Sequence, residues 1–182
     1  MIGSVDQALE HHEAIWLLRE RELNGSAFAV VRMVFDAMMR ALWLNACAES
    51  EQIEQAAEDE LDWRKIRLRA DIKRAYFGTP DNAETAKKLD ELFDALNQLW
   101  KVLCSYTHSG TLQLSRRFTF DEVKPNYSAR GIALALNSAT TGLLFFLPLL
   151  FGSMSAHTEA EETVTMLARY NDEFSERLKP PS

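Results

Sequence analysis

Along most of this chain apolar residues recur three and four positions apart, the spacing of one face of a helix. Val5–Glu22 shows it with Ala8, Ile15 and Leu18, and Asn24-Gly25 follows as a closing signal. From about Ser26 to Ala48 the pattern changes. The stretch AFAVVRMVFDAMMRALWLNACA is apolar on nearly every side and interrupted only by Arg32, Asp36, Arg40 and Asn45. Such a helix belongs in a core. An acidic piece, Glu49–Glu60, leads into a basic amphipathic segment, Leu61–Phe77. Gly78-Thr79-Pro80 stops that helix and starts the next, with Thr79 as the cap and Pro80 in the first turn. Leu89, Leu92, Phe93, Leu96, Leu99, Trp100 and Leu103 then carry a helix to about Tyr106.

The region 107–128 breaks the periodicity. Gly110 ends the helix, and Leu112, Leu114, Phe118 and Phe120 alternate with polar residues as an extended strand or arm would. Two further helices, Ala129–Met154 and Glu159–Leu178, complete the pattern. The expected fold is an all-α bundle of about five to six helices with one long arm. It forms a single domain over residues 1–178, followed by a frayed tail at 179–182.

The charges inside the second helix are the first chemical signal. Residues four apart stack on one helix face, so Arg32, Asp36 and Arg40 form a single stripe, shared with Met39 and Trp43. Charges taken out of water must be paired or they cost several kcal/mol. The stripe is therefore either a structural ion ladder or the floor of a binding site. The second signal is Ser105-Tyr106-Thr107-His108-Ser109-Gly110, which puts hydrogen-bonding side chains at a helix end. Its plain reading is a C-terminal cap, with His108 satisfying helix carbonyls and Gly110 in the left-handed conformation. Its sharper reading brings Tyr106 and His108 to the Arg32–Asp36–Arg40 stripe to complete a polar pocket.

Composition narrows the setting. The chain is 47% hydrophobic and 26% charged, as folded soluble proteins are. Its net charge of −7 gives no reason to expect DNA as a partner. One segment runs against that balance: Arg64–Arg74 holds six cations and only Asp71, with Trp63 and Tyr76 at its edges. It is either a solvated helix face or a grip for RNA by charge and stacking. Cys47 and Cys104 sit in apolar patterns without neighbouring ligands and read as core thiols of a reducing cytosol. His11, His12 and Glu13 point about 100° apart around a helix, so no metal site is expected, and no cofactor motif is present.

The N-terminus lacks a signal-peptide pattern, which favours a cytoplasmic location. Gly131–Gly152 approaches the roughly 20 residues a membrane span needs. Asn137, Ser138, Thr140 and Thr141 at its centre and Pro148 near its end favour a buried helix or a dimer interface instead.

A central helix with a buried Arg-x3-Asp, followed several helices later by a helix ending in Tyr-Thr-His, resembles the HEPN-like proteins of bacteria. The resemblance covers residues 26–110. It implies an all-α domain of a kind found among toxins and abortive-infection proteins. Ribonuclease members resemble one another in an Arg, four to six residues and then a His, acting across a dimer interface. Here the corresponding positions before His108 are Lys101, Val102 and Leu103, and those before His157 are Leu150, Phe151 and Gly152. The motif is incomplete, since Lys does not replace Arg at a bidentate phosphate site.

Two functions follow as expectations. In the first, the protein handles RNA or a nucleotide in a defence or toxin setting. Arg32 and Arg40 hold phosphate there, with Tyr106 and Lys101 as further ligand-binding candidates; of the catalytic candidates, Asp36 orients the arginines and His108 is the acid–base group. In the second, it is a non-catalytic homodimer whose charged cluster is structural, and its activity is association. The apolar surplus of Leu143–Phe151 favours a homodimer in either case.

Overall fold

The computed structural model describes residues 1–78, 83–108, 110–119, 121–123 and 125–177. The cap and first-turn expectations at Thr79 and Pro80, and those for Ser109, Phe120 and the tail 179–182, lie outside the described residues, as do the side chains of Leu89 and Leu112. Eight α-helices and one 3-10 turn make up the described fold: α1 (Ile2–Glu20), α2 (Asn24–Ala46), α3 (Ser50–Ala57), the turn Trp63–Lys65, α4 (Leu68–Phe77), α5 (Ala83–Thr107), α6 (Thr111–Ser115), α7 (Ala129–Ser153) and α8 (His157–Arg177).

The all-α expectation holds, and the bundle of five to six helices is roughly met, though eight are counted among the described residues. The additional elements are short. The acidic piece folds as α3 because Glu49 and Gln52 form a reciprocal capping box, with the Glu49 N–H donating to Gln52 Oε1 at 2.9 Å. The arm is not extended where its alternation suggested: Thr111–Ser115 is a helical turn, α6. Among the described residues, pairing is limited to a single antiparallel bridge between Phe118 and Val123. The basic segment is also not one helix. The Asp62 carboxylate accepts from both the backbone N–H and the guanidinium of Arg64, and this local bonding competes with helix propagation until Leu68.

As the apolar pattern requires, α2 is the centre of the molecule. It packs against α1, α4, α5 and α7, while α8 lies on α7. Val31, Val34, Met38, Ala41 and Leu42 are sealed from solvent. Asn24-Gly25 does not close α1 but opens α2. α1 closes instead through Glu22, which takes the left-handed conformation (φ 58°), while the Leu23 N–H bonds to Leu18 O at 2.8 Å. At Gly142 in α7, a Cβ would stand 2.7 Å from Cζ of Phe35, so this glycine sets how closely α7 approaches α2. α7 is also long and apolar enough to cross a membrane, and 28% of its most apolar stretch is buried within the bundle.

Candidate functional site

The stripe on α2 does not form a ladder. Arg32 and Asp36 pair, Nε to Oδ2, at 3.3 Å, with 17% and 29% of their side chains exposed. Arg40 turns the other way and stacks on Trp63, with Cζ 4.7 Å from the ring centroid. Burial pushes the Asp36 carboxyl above the usual aspartate range, outweighing the pull of Arg32, Arg40 and Arg69. Asp36 therefore pairs with one guanidinium, feels the charge of two more, and still resists ionising. Among the described residues, the buried Arg32 Nε has only its ion pair with Asp36 and the buried Arg40 Nε has no hydrogen-bond acceptor.

His108 joins this cluster. The last turn of α5 brings its Nε2 to 2.7 Å from Nη1 of Arg32. A guanidinium can only donate, so Nε2 accepts and the ring proton sits on Nδ1. The capping role is left to backbone: the His108 N–H bonds to Cys104 O and the Gly110 N–H to Ser105 O. Gly110 is not left-handed (φ −71°, ψ 178°). Its need for glycine is close approach, because a Cβ would stand 2.5 Å from Ser105 Oγ.

Tyr106 meets the same α2 face one turn before Arg32 but bonds to none of the three charges among the described residues. It is buried against Phe28, centroids 4.8 Å apart, and Phe28 in turn stacks on Tyr127 of the arm at 5.4 Å. This run of three rings pins the Tyr127 end of the arm to α2, while Phe118 and Val123 stay exposed. The Tyr127 hydroxyl fits only because residue 25 is glycine: a Cβ there would stand 2.6 Å from it. Lys101 is exposed on α5 and enters no ion pair among the described residues.

Two residues that the sequence did not single out complete the site. Arg32 lies over Trp100 at 5.0 Å, and Arg69 of α4 lies over the same indole at 5.2 Å. Trp100, Cys104 and His108 are four apart on α5, so the face was available in the spacing. Arg69 was hidden in the basic run. Trp100 and Arg69 also line a cleft of about 500 Å³ between α4 and α5, floored by Phe35 and Met39 of α2 and Phe146 of α7.

These distances describe an electropositive spot beside an open apolar cleft in an acidic protein. A family model for a family of unknown function, DUF6988, matches residues 5–180. The chain belongs to this family. No curated protein and no solved structure matches it. DUF6988 membership spans the whole helical unit, from α1 to the end of α8, and carries no assigned activity.

Elsewhere, His12 is half-buried between α1 and α7, its Nε2 2.8 Å from Thr140 Oγ1, and burial lowers its pKa. It is a packing residue rather than part of a surface cluster. No group of three or more metal-ligating side chains occurs among the described residues.

Proposed function

We propose that this is a HEPN-like helical protein that binds RNA or a nucleotide in the cytoplasm, in a defence or toxin setting. The ligand phosphate is held by Arg32, Arg69 and His108. One observation carries the reading: Arg32 and Arg69 lie over the same Trp100 indole with His108 against Arg32, a cationic cluster whose paired carboxylate, Asp36, resists ionising. Asp36 holds Arg32 in place, and the His108 lone pair is engaged by Arg32. A bound phosphate would compete for Arg32 and free that imidazole for proton transfer. With Lys101 exposed and in no ion pair among the described residues, binding is the activity we favour, and cleavage requires His108 to act without a second cation.

The test is fluorescence anisotropy of a labelled single-stranded RNA, competed by AMP and by inorganic phosphate. Wild type should bind with salt-dependent affinity. Arg69→Met should weaken binding and flatten the slope of log affinity against log salt by about 0.7, the share of one phosphate contact. Equal binding by wild type, Arg32→Met and Arg69→Met would remove the cluster from the site.

A second reading is favoured by the surface of α1 and α7. Ile2, Leu9 and Trp16 recur seven apart on α1 and are all exposed, beside an α7 that the bundle covers incompletely. On this reading two copies associate through that face. Light scattering of detergent-free protein distinguishes the cases: a dimer broken by Trp16→Glu supports association, and a monomer excludes it. Recovery only with membranes would mark α7 as a span.

A further inference from the structure

We infer that the cleft beside the arginine cluster receives the ring of a single nucleotide, with its phosphate on Arg69 and Arg32. The inference rests on the reading that this cluster binds RNA or a nucleotide, and it names the bound unit. The cleft exists because α4 and α5 both pack on α2 but scarcely on each other. They meet only where side chains bridge them. At one end Lys73 pairs with Asp90 and Phe77 packs edge-on against Phe93. At the other Arg69 lies over Trp100. Between these bridges the space is about 500 Å³, within the range of roughly 300–1,000 Å³ usual for small-molecule sites. A groove tracking a strand runs over about 4–16 nucleotides, whereas this space occupies only the stretch between the bridging pairs.

The lining states what fits. Phe35, Phe93, Trp100 and Phe146 are among the lining side chains, and their rigid rings, though Phe35, Phe93 and Phe146 are largely covered, give the wall flat edges that suit a ring better than a flexible chain. Asn97 and Asp94 stand on the α5 wall and make no hydrogen bond or ion pair among the described residues. An amide and a carboxylate are the groups that read donors and acceptors on the edge of a base. Charge complements this. Arg69 at the cleft has no carboxylate within ion-pair distance among the described residues, and Arg32 lies against the same indole. Ring inside and phosphate at the Trp100 end is therefore the orientation that satisfies both halves.

The experiment compares AMP with ribose 5-phosphate by calorimetric titration of the full chain, since the two share a phosphate and differ in the ring. AMP should bind about tenfold or more tighter, the worth of one stacked base. Leu96→Trp, which fills the cleft and leaves the arginines in place, should bring AMP down to the ribose 5-phosphate value. Equal affinity of the two ligands for wild type overturns the inference without any variant, and leaves the phosphate reading intact. Tighter binding of dodecanoate than of AMP overturns it in favour of an aliphatic body. Binding of an RNA oligomer without AMP also overturns it. Absence of binding by AMP, phosphate and RNA alike removes the proposed function itself.

Discussion

Gly142 gives the sharpest check of how α7 is seated on α2. Replacing it with alanine puts a Cβ 2.7 and 2.8 Å from Cζ and Cε1 of Phe35. Carbon atoms rest about 3.5–4.0 Å apart, so the ring must withdraw by nearly 1 Å. Phe35 is almost fully buried and edge-on to Phe146 at 6.1 Å, which leaves the cleft as the direction of escape. Overpacking of this kind costs about 1–3 kcal/mol. Against it stands the gain of about 1 kcal/mol for alanine over glycine inside a helix. Gly142→Ala alone should therefore destabilise by about 1 kcal/mol. In a Phe35→Leu background the obstructing ring atoms are gone and only the helical gain remains, so the same change should stabilise by about 1 kcal/mol. Urea unfolding of the four proteins gives the coupling energy, expected near 2 kcal/mol. A coupling within about 0.3 kcal/mol of zero would mean that Phe35 and Gly142 are not in contact.

Three further outcomes follow. Glu22→Gly should raise stability by about 0.5–1 kcal/mol in thermal unfolding, because it relieves a left-handed non-glycine residue at the end of α1; a loss would place Glu22 elsewhere. The Asp36 pKa is raised in the fold, so the native state binds that proton more tightly than the unfolded chain. Stability of wild type relative to Asp36→Asn should therefore grow as pH falls from neutral towards about 4; the opposite trend would mean that the arginines outweigh burial. His12 has the reverse sign: its pKa is lowered, so wild type should lose stability relative to His12→Gln as pH falls below about 6.5.

The helices were legible where burial imposes a period. α2, α5 and α7 announce themselves because one face or all faces must be apolar, and α2 is central because it has no polar face to offer water. What escaped were boundaries decided by single hydrogen bonds. Asp62 breaking the basic helix is one, and the Glu49–Gln52 box making a helix of an acidic piece is another. The arm misled because alternation of apolar residues suits a strand and, over five residues, a single helical turn equally well.

At the site, charge spacing correctly paired Arg32 with Asp36, and the unusual polarity of an apolar helix end marked His108. Tyr106 and His108 both reach the α2 stripe, one turn apart: the ring goes to Phe28 while the imidazole goes to Arg32. Arg40 shares the stripe with Asp36 in sequence, yet a long side chain can reach either way, and the Trp63 face drew it off. Arg69 needed the tertiary fold, since nothing local separates it from the cations that flank it.

The claim that Arg32 and His108 form one anion site is most directly tested by nitrogen NMR of the histidine side chains. Free protein should show the His108 Nε2 unprotonated and accepting a hydrogen bond, with the proton on Nδ1 and the signal shifted in Arg32→Met. Addition of AMP should move the His108 resonances and leave those of exposed His157 in place. A protonated Nε2 in the free neutral ring, or a His108 signal indifferent both to Arg32→Met and to saturating AMP, would contradict the account.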